Sequence, residues 1–170
     1  YYAVPWDSAA FAQDYTRARA AADAVVVYMH GGEDYTSVPN DWQREVAQTR
    51  ADAGVDLVIG SHAHVRQSFE QVPRADCSST MPGVYGMGDF VSSYTYYPET
   101  VLSGMFSCAS VISASGTVSI ENLAWTPRVE YWTYSADGTP DDYVRLVSTM
   151  SAEEAAGDYL LSSLGSDALA

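Results

Sequence analysis

Two apolar runs organise the first half of the chain, "DAVVVYMH" at 23–30 and "VDLVIG" at 55–60. Neither alternates with polar residues, and β-branched side chains dominate, so both predict strands buried on two faces within a parallel sheet. Between them, Trp42, Val46, Ala47 and Ala53 mark the apolar side of a helix that Asn40 or Asp41 opens and Gly54 closes. Strand, helix, strand over this distance is a βαβ unit with parallel strands. Upstream, Phe11, Tyr15, Ala18 and Ala22 recur at helical spacing and predict a helix over Ser8–Ala22 with Ser8 as its cap.

Beyond the unit the pattern turns antiparallel. "GVYGMGDF" reads as a short strand, "GMFSCASVISASGTVSIENLAW" as two strands around a Ser-Gly turn, and "RVEYWTY" as a third. Asp141–Met150 and Ser151–Leu164 read as terminal helices. With no repeat, low-complexity stretch or linker, residues 1–170 are expected to form one domain of mixed α/β class, a βαβ unit followed by antiparallel strands.

Composition narrows the function. The chain has 170 residues, 47% of them apolar, which is enough for a folded core. Its 22 acids against 8 arginines, with no lysine, give a formal charge of -14. That charge repels nucleic acid and anionic membrane surfaces and favours cations. No apolar run approaches the length of a membrane-spanning helix, so direct membrane insertion by this segment is not expected. The chain begins without Met or a signal pattern and reads as mature, trimmed or cut from something longer. Cys77 and Cys108 fit no metal-binding spacing and read as two buried thiols, with a single disulfide as the alternative.

The chemistry concentrates in three histidines, His30, His62 and His64, each just after a strand of the βαβ unit. Parallel strands open their carboxyl ends on one edge, where open α/β sheets hold ligands. A single histidine at a strand end is more often a hydrogen-bonded rim residue; three on one predicted edge point to a divalent metal site. His62 and His64, two apart, would face the same side in extended backbone. Glu33, Asp34 and Asp89 either join them or serve as a solvated loop and a turn cap. Gly31, Gly32 and Gly60 allow sharp turns and close approach of backbone beside such a site.

These motifs resemble a known family. "MHGGEDY", then "AGVDLVIGSHAHV", then "GVYGMGDF" are similar in order and spacing to HWGxEY, GHHPHV and LGNF of the CapA-type poly-γ-glutamate capsule biosynthesis proteins, which have the calcineurin-like metallophosphatase fold. The likeness runs from about Phe11 to Pro127. Gly31 stands where the family has tryptophan, Asp34 where it has glutamate and Asp89 where it has asparagine. The family's earlier motifs have no counterpart in the chain, so the resemblance implies the carboxyl-terminal half of a metallophosphatase-like layered domain.

The resemblance implies that His30 and His62 ligate one divalent ion (Mn, Fe or Zn) and that His64 reaches a second. It gives Asp34 a catalytic place, in contact with metal-bound water or a substrate amine. It further implies a metal-dependent, phosphoesterase-like hydrolase acting on a phosphoester or an anionic polymer, at the cell envelope or outside it, alongside a capsule-synthesis membrane complex. The alternative is a non-enzymatic exported scaffold with a degenerate metal site.

Overall fold

The computed structural model describes residues 7–92 and 97–157. Helix α1 spans Ser8–Ala21, and its cap is Asp7, whose carboxylate accepts from the backbone N–H groups of Ala9 and Ala10; Ser8 is the first helical residue instead. No α1 residue is fully buried. Its half-buried Phe11 and Tyr15 pack on the core, and the Arg50 guanidinium lies 3.8 Å from the Phe11 ring centre. Arg19 ties the helix down by donating to Asp56 Oδ2 at 2.7 Å and to the Gly54 carbonyl at 2.8 Å.

Strand β1, Val26–His30, runs parallel to β2, Leu57–Ser61, in a register that pairs Val26 with Leu57 and His30 with Ser61. Helix α2, Asp41–Ala53, joins them, and both ends follow local chemistry. Asn40 and Gln43 form a reciprocal capping box, and Gly54 closes the helix in the left-handed conformation at φ 94°. The buried face is Gln43, Val46, Ala47, Arg50 and Ala51, whereas the expected Ala53 is exposed and Trp42 only partly covered.

One expectation is overturned at β1. Among the described residues it is an edge strand, with Val26 51% and Tyr28 63% exposed, because only β2 pairs with it. The sheet has the order β1-β2-β4-β3, where β3 is Phe69–Pro73 and β4 is Thr80–Val84. β4 is parallel to β2, so a third carboxyl end opens on the same edge, and β3 returns antiparallel to β4. The core gathers Met29, Val46, Ala47, Ala51, Val55, Val58, Val72, Met81 and Tyr85.

Tyr85 supports a pH prediction. It is buried, it donates to Glu70 Oε2 at 3.2 Å, and burial, then the nearby carboxylate, push its hydroxyl up to about 12. The unfolded chain releases that proton near pH 10. The folded state therefore holds the proton longer, and the stabilisation is complete below about pH 10 and lost as pH rises through about 12. Urea midpoints across this window should fall with a slope of about one proton, and Tyr85→Phe should flatten it. Parallel decline of both proteins would show that another group carries the alkaline loss.

The second sheet has the order β5-β6-β7. Its strands are β5 (Leu102–Ile112), entered from the short helix α3 (Pro98–Val101), β6 (Val118–Tyr134) and β7 (Pro140–Leu146). The Ser-Gly turn between β5 and β6 is present, with Gly116 at φ 81°. "RVEYWTY" is no separate strand but the second half of β6, which pairs with β5 along its first part and with β7 along its last. The helix expected over Asp141–Met150 is instead most of β7 and a 3-10 turn, Val147–Thr149. Of Ser151–Leu164, helix α4 covers Ala152–Gly157, and the rest lies outside the described residues.

Cys77 and Cys108 are free and exposed, not buried, and form no disulfide. Cys77 sits in the β3–β4 turn, and Cys108 falls at the register shift in β5. No helix among the described residues is long and apolar enough to cross a membrane.

Candidate metal centre

The parallel register places His30, the last residue of β1, level with Ser61, the last residue of β2. His62 and His64 follow at once, and Asp89 lies just past β4, so all four belong to one sheet edge. The loop from β1 is pinned there by backbone bonds, Gly31 N–H to the Ser61 carbonyl at 3.0 Å and Tyr35 N–H to the Ala63 carbonyl at 2.8 Å. A chain of amides holds its far end. The buried Gln43 side chain accepts from Asn40 N–H and donates to Gln67 Oε1, while Gln67 Nε2 donates to the Thr36 carbonyl.

His30 and His62 face each other. His30 Nε2 lies 3.3 Å from His62 Nδ1, with the rings nearly perpendicular. Each ring is held through its other nitrogen: His30 Nδ1 meets Ser61 Oγ at 3.0 Å, and His62 Nε2 meets Asp34 Oδ1 at 3.3 Å. An ionised carboxylate only accepts, so His62 carries its proton on Nε2 and turns the Nδ1 lone pair toward His30. Ser61 Oγ also bonds the Tyr28 hydroxyl. Because hydroxyls both donate and accept, the Tyr28–Ser61 pair can reverse direction and let His30 hold its proton on either nitrogen.

His64 takes a different partner. Its Nδ1 lies 3.0 and 2.9 Å from the two Asp89 carboxylate oxygens, and its ring stacks on Tyr35 at 5.7 Å between centres. The carboxylate fixes the Nδ1–H tautomer, with the lone pair on Nε2. Asp89 is itself clamped from the second sheet. Ser103 Oγ donates to its carbonyl at 2.6 Å, and the buried Arg128, whose pKa burial lowers, donates to the same oxygen.

The expectation that His62 and His64 share a side in extended backbone does not hold. His62 has φ 125° and His64 φ 59°, and Tyr35 beside them has φ 59°. The left-handed turns send the two imidazoles to different partners while Ala63 and Val65 bury themselves. Such conformations are costly for residues with a Cβ and cluster where surrounding structure enforces them, often at functional sites. Glu33 is exposed and joins none of these contacts.

Among the described residues, no three His, Cys, Asp or Glu side chains form a group able to hold an ion by themselves. The His30–His62 pair nevertheless fits a metal in donor type and spacing. Two imidazole nitrogens, each bound at about 2.0–2.1 Å to one tetrahedral ion, stand roughly 3.3 Å apart. The Asp34 carboxylate on the far nitrogen of His62 is a partner that metal-ligating histidines commonly have, and the Ser61 hydroxyl steadies the far nitrogen of His30.

Ser61, Tyr28 and Tyr35 join the site without belonging to the histidine pattern. The signal for the first two was available: parallel register sets Ser61 beside His30, and Tyr28 precedes His30 by two on the same strand face. Tyr35 had none, because nothing in its residue type announces a left-handed backbone.

The family described as "Bacterial capsule synthesis protein PGA_cap" matches residues 3–94, more than half of the 170. A 67-residue segment is 40% identical to the "PGA biosynthesis protein CapA" of Bacillus subtilis (strain 168), covering 39% of this chain and 18% of that protein. A 70-residue segment is 39% identical to the "Capsule biosynthesis protein CapA" of Bacillus anthracis, covering 41% and 16%. The matched segments thus span under a fifth of either relative.

Proposed function

We propose, since the chain belongs to the bacterial capsule synthesis protein family PGA_cap, that it is the carboxyl-terminal half of a metal-dependent, hydrolase-like domain working in formation of an anionic envelope polymer. In this reading residues 1–170 are one structural unit, located at the cell envelope or outside it, that cooperates with a capsule-synthesis membrane complex. His30 and His62 hold one divalent ion (Mn, Fe or Zn) and His64 reaches a second. The observation that supports this is the facing pair of imidazole nitrogens, each ring steadied through its other nitrogen.

The residues divide the work. Asp34 keeps the His62 ring in place and, half-exposed beside it, can accept a proton from a water or a substrate amine. The Tyr28–Ser61 hydroxyl pair takes the His30 proton onto the Nδ1 side and frees Nε2. Asp89 does the same for His64. A bound divalent pair would activate water and clamp a phosphoryl oxygen. Positive charge at this edge would also offset the repulsion between a chain of net charge -14 and an anionic polymer.

One observation favours a second reading, a scaffold with a degenerate site: the described residues alone offer no complete ligand group. Elemental analysis and hydrolysis of 4-nitrophenyl phosphate, run on this chain and on a form extended to the relatives' length, separate the two. The enzymatic reading expects a single weakly held ion and no turnover from this chain. From the extended form it expects two ions and turnover that a chelator abolishes. A metal-free extended form would favour the scaffold, and turnover by this chain alone would overturn the half-site.

A further inference from the structure

Away from the histidines, a cleft of about 320 Å³ opens between the two sheets. One wall is Phe69 and Val84 from β3 and β4; the other is Phe106, Leu123 and Trp125 from β5 and β6. Phe69 and Phe106 stack at 6.2 Å, and Trp125 lies so close over Gly104 that a Cβ there would meet its ring at 2.5 Å. The second wall lies beyond residue 94, outside the family match, and none of His30, His62, His64 and Asp89 lines the cleft.

Arg66 lines its polar end. In a chain with 22 acids and 8 arginines a guanidinium readily finds a partner. Arg17, Arg19, Arg44 and Arg145 pair with carboxylates, Arg74 and Arg128 with carbonyls, and Arg50 with the Phe11 ring. Arg66, half-buried, makes no ion pair, side-chain hydrogen bond or ring contact among the described residues, and no acidic side chain lines the cleft. A guanidinium fork beside an apolar aromatic wall suits a planar anion. A single cation within an acidic protein matches one negative charge better than two.

We infer that this cleft binds a small aromatic monocarboxylate, its carboxylate on Arg66 and its ring between Phe69, Phe106 and Trp125. Calorimetric titration of the full chain with 2-naphthylacetate, its neutral amide and 2-naphthyl phosphate tests the assignment. The acid is expected to bind about tenfold or more tightly than the amide, as a charge-assisted hydrogen bond does. Arg66→Gln should bring acid and amide to equal affinity. Equal binding of acid and amide by the wild type would overturn the inference, as would tighter binding of the phosphate or no saturable binding of the acid. If Arg66→Gln fails to fold, the comparison of the three ligands on the wild type decides alone.

Discussion

Replacing His62 with alanine in the extended form should weaken binding of Zn²⁺ by more than about a hundredfold, because ligand loss exceeds the ten- to hundredfold effect of removing an outer partner. His62 does two things at once: its Nδ1 faces His30 Nε2 at 3.3 Å, and its Nε2 bonds Asp34. Alanine removes one of the two facing donors and leaves the other alone at a solvent-exposed strand end. Asp34→Asn, which keeps an acceptor but loses the charge, should fall within that ten- to hundredfold range. His64→Ala should spare the first ion, since His64 is held by Asp89 and not by the facing pair. Calorimetry under matched buffer reads all three without any activity assay. Unchanged affinity in His62→Ala would remove the histidine pair from any metal role.

Gly60→Ala should destabilise the fold by about 3 kcal/mol or more, at the upper end of overpacking costs. A Cβ at Gly60 would sit 2.2 Å from the Tyr85 carbonyl oxygen and 2.8 Å from its carbonyl carbon. Both are backbone atoms, so no rotamer can relieve the clash; β2 and β4 must part. These are the inner strands of the first sheet, and their separation would also disturb Ser61 and His62 one and two residues on. The urea midpoint should fall with little change in its denaturant slope. A loss below about 1 kcal/mol would mean that the strands slide apart easily, contrary to the dense packing expected of such a core.

Local chemistry made part of this legible in advance. The βαβ unit followed from two β-branched runs, and the limits of α2 followed from Asn40, Gln43 and Gly54, whose capping bonds span only a few residues. The turn around Gly116 was equally local. What the sequence hid was non-local. The sequence of β7 predicts a helix, because what makes it a strand is its pairing partner, the far half of β6. β6 itself runs 17 residues through Pro127, where a reader expects a break. β1 has the composition of a central strand, yet it lies at an edge among the described residues. In the site, residue types announced the three histidines, whereas their division into a facing pair and an Asp89-held ring depends on left-handed turns at His62 and His64.

The ring of Trp42 occupies the space that any side chain at Gly31 would fill, 2.6 Å from the position of its Cβ. Where the similar family has an indole on the loop, this chain brings one across from α2. Trp42 and His30 line the same small cavity of about 130 Å³. With an indole and an imidazole on one cavity, a paramagnetic ion such as Mn²⁺ settling on His30 is expected to quench the Trp42 emission, which a diamagnetic ion such as Zn²⁺ would not. The remaining described indole, Trp125, belongs to the other cleft and would stay unchanged. The part of the emission that Trp42→Phe removes would therefore report occupancy of the histidine pair, with no label attached to the chain.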